Sequence, residues 1–168
     1  MSNRPPRLAG FSYVGFHRYS LTFCVQRRVN VFVDSGVVDE SLSQISLAAG
    51  RHEFAIPAYC FMPDHLHLLV EGHSERSDLT KFAHLLKQRT SFAYQRSHRG
   101  MQLWQNGYFE HVIRDDEVTQ IIAKYILENP VRRSLVKEPM DYLFSGSLVY
   151  RREQLVDWWN EGATGGTP

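Results

Sequence analysis

The run Tyr59-Cys60-Phe61-Met62-Pro63-Asp64-His65-Leu66-His67-Leu68-Leu69-Val70-Glu71-Gly72 decides the fold of this chain. Apolar residues fill both of its halves, and Pro63-Asp64 between them has the chemistry of a tight turn. The stretch therefore reads as two antiparallel strands, over residues 54–62 and 65–71. In the second strand successive side chains alternate between faces. Leu66, Leu68 and Val70 go to one side, and His65 and His67 go to the other. Two imidazoles on one face supply half of a coordination shell, because each neutral ring offers one nitrogen lone pair. A solvated or locally hydrogen-bonded strand face is the alternative.

Outward from this pair, residues 19–25 alternate and carry aromatic and β-branched side chains, as a first strand does. Residues 37–49 read as a helix stopped by Gly50. Asp78 caps a long helix to about residue 97, with Leu79, Phe82, Leu85, Leu86, Phe92 and Ala93 in one buried stripe. Residues 108–114 alternate again. The order βαββαβ is that of the ferredoxin-like fold, an α+β architecture in which both helices cover one face of an antiparallel sheet.

Beyond the fourth strand, an amphipathic stretch from Asp116 places Ile121, Ile122, Tyr125 and Ile126 at helical spacing, and this helix is free to cross the other face. Tyr125 and Asn129 are four apart and so are neighbours on a helix. Beside two histidines they read as a nucleophile and a third oxygen ligand. The alternative is that Tyr125 belongs to the apolar stripe and Asn129 ends the helix before Pro130. Residues 1–14 read as a flexible arm, 15–160 as one domain and 161–168 as a disordered tail. Residues 154–160 read as a short helix whose Trp158 and Trp159 pack on the domain, with stacking on bases as the alternative.

At 168 residues, with 43% hydrophobic and 22% charged content, the chain suits one soluble domain. It has no apolar run long enough to span a membrane and no signal-peptide pattern, so a cytoplasmic location is expected. Cys24 and Cys60 lie in apolar runs and read as buried free thiols. The net charge of +1 does not mark a strongly basic nucleic-acid binder. Its distribution is more telling. Arg76, Lys81, Lys87, Arg89, Arg96 and Arg99 face Asp78 alone between residues 76 and 100, and Arg132, Arg133, Arg151 and Arg152 form a second basic region. Lys87, Arg89, Arg132 and Arg133 are the candidate phosphate contacts; a solvated helix face is the alternative for the first cluster.

Five motifs occur in order: Met62-Pro63-Asp64-His65-Leu66-His67-Leu68-Leu69; Leu103-Trp104-Gln105; Gly107-Tyr108-Phe109-Glu110; Ile113-Arg114-Asp115-Asp116-Glu117; and Tyr125-Ile126-Leu127-Glu128-Asn129-Pro130-Val131-Arg132-Arg133-Ser134-Leu135-Val136. Over about residues 15–150 the chain resembles the single-tyrosine HUH transposases, and within them the branch associated with repetitive extragenic palindromes (REP). The resemblance implies a ferredoxin-like domain whose added helix carries the tyrosine across the open face. It implies a transposase in which Tyr125 attacks single-stranded DNA, leaving a 5′-phosphotyrosine and a free 3′-hydroxyl. It also implies magnesium or manganese held by His65, His67 and Asn129, REP-like hairpins as the DNA partner, a monomer or homodimer, and a place at the nucleoid in the cytoplasm. Ligand softness alone favours zinc, cobalt or nickel. Tyr108 and Tyr94 are rival nucleophiles. A non-catalytic single-strand-binding sheet, using Tyr19, Phe23, Tyr108 and Phe109 for stacking, and a hydrolase with a water nucleophile are the competing functions.

Overall fold

A computed structural model of the chain describes residues 10–98, 100–114 and 118–163. The order β1 (Arg18–Cys24), α1 (Ser35–Arg51), β2 (Phe54–Met62), β3 (His65–Gly72), α2 (Leu79–Ser97), β4 (Phe109–Ile113) is the expected βαββαβ. The strands pair antiparallel in the order β4-β1-β3-β2, and a two-residue strand, β5 (Ser145–Gly146), extends the β2 edge. Three further helices follow β4: α3 (Thr119–Leu127), α4 (Asn129–Arg132) and α5 (Arg152–Ala163). The expected arm at 1–9, the start of the tyrosine helix at Asp116 and the tail at 164–168 lie outside the described residues. Among the described residues no helix is long and apolar enough to cross a membrane.

Alternation sorts the two faces as expected. Tyr19, Leu21 and Phe23 of β1 join Leu66, Leu68 and Val70 of β3 in one core, closed by Val38, Ile45 and Ala48 of α1 and Leu79, Phe82 and Leu86 of α2. The Asp78 carboxylate accepts from Lys81 N at 3.1 Å and starts α2. Phe92 departs from expectation, standing 67% exposed. Thr90 takes the buried position instead, because its hydroxyl donates to Leu86 O at 2.8 Å and accepts from Trp104 Nε1 at 2.7 Å, leaving no polar atom unpaired. Gly50 does not stop α1. The helix runs on to Arg51, and Glu53 takes the left-handed turn at φ 56°, its carboxylate held by Ser74 and Arg76. Phe11 and Tyr13 pack against the core. The open end of the β2–β3 hairpin is tight at Gly72, where a Cβ would overlap the carbonyl oxygen of Gly15.

On the opposite face α3 lies across β2 and β3. Ala123, Ile126 and Leu127 bury against Ala58, Cys60 and Met62 of β2, Leu69 of β3 and Ile113 of β4. Small side chains at 58 and 123 allow the close approach. The start of α3 is tied down by side chains of the strands beneath it: Arg18 Nη1 donates to Thr119 Oγ1 at 2.7 Å, and Thr119 Oγ1 donates to Glu71 Oε1 at 3.2 Å. Leu155 of α5 and the Trp158 ring, packed edge-on to Tyr150, complete this second cluster. The stripe of α3 differs from the expected one. Ile121 and Tyr125 are 65% and 61% exposed, whereas Ile122 and Ile126 face the sheet as expected and Ala123 and Leu127 join them there.

Candidate active site

His65 and His67 meet on the α3 side of the sheet. Their Nε2 atoms are 3.0 Å apart, with ring planes at 84°. Each outer nitrogen has a partner: His65 Nδ1 lies 2.6 Å from Asp64 Oδ1, and His67 Nδ1 lies 2.9 Å from Thr22 Oγ1. A carboxylate only accepts, so His65 carries its proton on Nδ1 and turns the Nε2 lone pair toward His67. If His67 likewise donates from Nδ1 to Thr22, two lone pairs converge on one point. Right-angle ligands on an ion with bonds of about 2.1 Å sit about 3.0 Å apart, which is the separation of this pair. The donor set thus fits a divalent cation. Among the described residues no three His, Cys, Asp or Glu side chains gather for a metal.

The rings are kept neutral by their surroundings. Burial lowers the His65 pKa, with Arg28 and Arg133 adding to the depression and Asp64 opposing it. Burial, then His65, Arg132, Arg28 and Arg133, push His67 down to about 4. Neutral imidazole is the ligating form. Burial alone would raise the Asp64 carboxyl, but His65 and Arg28 outweigh it and hold the group below the usual carboxylate range. Of these three arginines, Arg28 is ion-paired with Asp64 at 2.7 Å and Arg132 with Glu128 at 3.5 Å.

The other expected site residues divide into two groups. Tyr125, Asn129, Arg132 and Arg133 belong to the α3–α4 segment, which packs on β2 next to the histidines. The Arg132 guanidinium lies 3.9 Å over the Tyr125 ring and donates from Nη2 to Tyr125 O at 2.6 Å. Asn129 Nδ2 donates to Ile126 O at 3.0 Å and Tyr125 O at 3.4 Å, capping the end of α3 and turning Oδ1 to the opposite side of the amide. Lys87 and Arg89 are not brought to this place, since α2 covers the other face. Lys87 Nζ donates to Gln105 O and Gly107 O, and Arg89 lines a groove between α1 and α2 with Glu40 and Gln44.

The rival tyrosines are also on the far side. Tyr108 stacks on Phe23 in the helix-covered core, and Tyr94 is buried on α2 against His98. Of the eight tyrosines in the chain, Tyr125 is the exposed one.

The sequence model of the IS200-like transposases matches residues 14–129, a span that holds both histidines, Tyr125 and Asn129. The chain belongs to that family. Relatives of this transposase include a candidate REP-associated tyrosine transposase of Haemophilus influenzae, 28% identical over 140 residues that cover 76% of this chain and 77% of the relative. The REP-associated tyrosine transposase of Escherichia coli is 30% identical over 110 residues, 62% of each chain. Among solved structures, a REP-associated tyrosine transposase bound to a REP hairpin superposes with a TM-score of 0.66 at 19% identity, covering 98% of this transposase and 89% of that chain. A candidate transposase from Deinococcus radiodurans gives 0.51 at 22% identity, covering 74% and 97%. At these identities the structural likeness shows the shared fold.

Sequence reasoning passed over Thr22, Asp64 and Arg28. The signal for Thr22 lay in the alternation of β1, which puts it on the histidine face, in register with His67. Asp64 reads in the sequence as turn chemistry and as part of the motif at 62–69, with no role at the site. The Leu103-Trp104-Gln105 motif proves to be a brace: Gln26 N donates to Leu103 O, Gln105 N to Cys24 O and Gln105 Nε2 to Val25 O, which holds the end of β1 beside His65.

Proposed function

We propose that this transposase cuts and rejoins single-stranded DNA at palindromic, REP-like hairpins by attack of Tyr125 on a phosphodiester seated at His65 and His67. His65, His67 and Asn129 Oδ1 would hold magnesium or manganese. Such an ion would draw charge from the phosphate and orient the scissile bond. Arg132 and Arg133 add positive charge at the phosphate oxygens, and Arg132 also packs over the attacking ring. In the step itself the Tyr125 phenol gives up its proton and its Oη bonds to phosphorus. The bond from phosphorus to the 3′-oxygen breaks, and that oxygen leaves as a hydroxyl. A 3′-hydroxyl of another strand reverses the exchange without ATP. Lys87 and Arg89, across the sheet, enter only as contacts to DNA reaching round the edge of α2. The enzyme would act at the nucleoid, in the cytoplasm.

The observation that carries this reading is the exposure of Tyr125 alone among the tyrosines, on a segment whose Arg132 and Arg133 add to the lowering of the His67 pKa. Its test uses labelled single-stranded DNA carrying a palindrome from beside the gene, incubated with the protein and manganese. A band of protein-linked DNA on a denaturing gel is expected, absent for Tyr125→Phe and weak for a fully paired duplex. An adduct retained in Tyr125→Phe, or a duplex cut as well as the hairpin, contradicts the reading. Hairpin binding without any adduct would point to a non-catalytic module. Mixing Tyr125→Phe with a His65→Ala/His67→Ala variant tells a monomer from a homodimer that shares sites: restored cleavage means that the tyrosine serves the partner.

A further inference from the structure

We propose that Arg28 is a positioning residue for the histidine pair: aimed by a strained turn, its guanidinium clamps Asp64 so that the carboxylate fixes the His65 ring with Nε2 toward His67. The inference rests on the metal-site reading above and adds a residue to it. Arg28 closes the 3-10 turn Gln26–Arg28 after β1. Both Arg27 and Arg28 have left-handed backbones, at φ 55° and 56°. Two adjacent non-glycine residues in that region are sterically costly and persist only where the surroundings over-determine them. Here they do. Val25 N donates to Asp64 O at 3.0 Å, Gln26 N to Leu103 O at 2.8 Å, and Phe32 N to Pro63 O at 3.0 Å, so the turn is sewn to the β2–β3 connection.

This backbone points the guanidinium at two neighbours of His65. Arg28 Nε lies 2.7 Å from Asp64 Oδ2, and Nη1 donates to Cys24 Sγ at 2.9 Å. Cys24 is the residue paired with His65 across β1 and β3. The other carboxylate oxygen, Oδ1, is then committed to His65 Nδ1 at 2.6 Å. Without the clamp the carboxylate can rotate, and the neutral ring is free to carry its proton on Nε2. That tautomer would present a hydrogen, not a lone pair, to the place where the two rings converge. A lysine could reach Asp64 Oδ2 but not Asp64 and Cys24 together, because the fork of donors belongs to arginine.

The test reads the ring and the metal separately. In the metal-free protein, long-range proton–nitrogen correlation spectra report which His65 nitrogen carries hydrogen. Manganese affinity is followed from the resonance of the free ion. The native protein should show His65 protonated at Nδ1. Arg28→Met should show mixed tautomers and an affinity about ten- to a hundredfold lower, the usual cost of losing an outer-shell partner, with Arg28→Lys in between. Asp64→Asn keeps the shape of the side chain and removes the charge that Arg28 holds, so it should move both readouts the same way even if Arg28→Met fails to fold. Unchanged tautomer and unchanged affinity in the folded variants would overturn the proposal. If the native protein bound no manganese, the metal site would fall, and the tautomer alone would still decide the role of Arg28.

Discussion

The two faces of β3 are both covered, one fully and one in part, and for opposite chemical reasons. On one, Leu66, Leu68 and Val70 are sealed with aromatic side chains from β1 under α1 and α2. Removing that apolar area from water stabilises the fold by about 25 cal/mol per Å². On the other, the short helix α3 covers Leu69, Cys60 and Met62, and His65 is left only 8% exposed beside them. There burial does not favour the polar rings. It withdraws the water that would stabilise their charged forms, and three arginines reinforce the effect, so the imidazoles stay neutral and able to ligate. Low exposure therefore does not mark a residue as core; what the neighbouring atoms offer it does.

The contrast can be broken by substitution on either face. The largest effect should come from the histidine side: the double variant His65→Ala/His67→Ala should lose manganese binding and strand cleavage by orders of magnitude, with the thermal midpoint little changed. A cooperative loss of folding in that variant would make the histidines core residues. On the helix side, Leu68→Ala should cost about 2–5 kcal/mol in a urea titration and leave manganese affinity of the folded protein intact. Loss of affinity without loss of stability would erase the distinction between faces.

An acid titration sharpens the same point with a smaller effect. The unfolded chain takes up a proton at His67 near its ordinary pKa of 6.5, while the folded protein does so only at about 4. Between those values unfolding absorbs a proton, so the metal-free protein should lose about 3 kcal/mol of stability as pH falls from 6.5 to 4, levelling off below. His65 adds in the same direction. His67→Gln should flatten the dependence, and a native slope in that variant would contradict the buried neutral ring. The smallest effect is expected at Arg132. Arg132→Gln removes the cation over the Tyr125 ring, worth about 0.5–1 kcal/mol at an exposed site, and one phosphate contact. The salt slope of hairpin binding should then fall by about one, and an unchanged slope would remove Arg132 from the DNA interface.

How far the sequence could be read follows the range of the interactions. The strand alternation at 65–70, the turn at 63–64 and the Asp78 cap are local patterns, and each appears where it was expected. Thr90 was illegible because a buried hydroxyl is tolerable only when partners such as Trp104 Nε1 are supplied from a distant loop. Glu53 ends α1 in a left-handed turn that Gly50 was expected to provide, and the carboxylate contacts that hold it come from residues 74 and 76. The site shows the same limit. The histidine pair is two residues wide and visible, whereas Thr22 is 45 positions from His67 and had no signature of its own. Charge type selected Lys87 and Arg89 together with Arg132 and Arg133, but only the tertiary fold assigns them to opposite faces of the sheet.

The most direct test of the account is to identify the residue joined to DNA. Protein trapped on a labelled hairpin with manganese would be digested with protease and nuclease and the nucleotide-bearing peptide sequenced by mass spectrometry. The account predicts one modified tyrosine, Tyr125, on the face that holds the histidines. A nucleotide on Tyr108 or Tyr94, across the sheet, would contradict it.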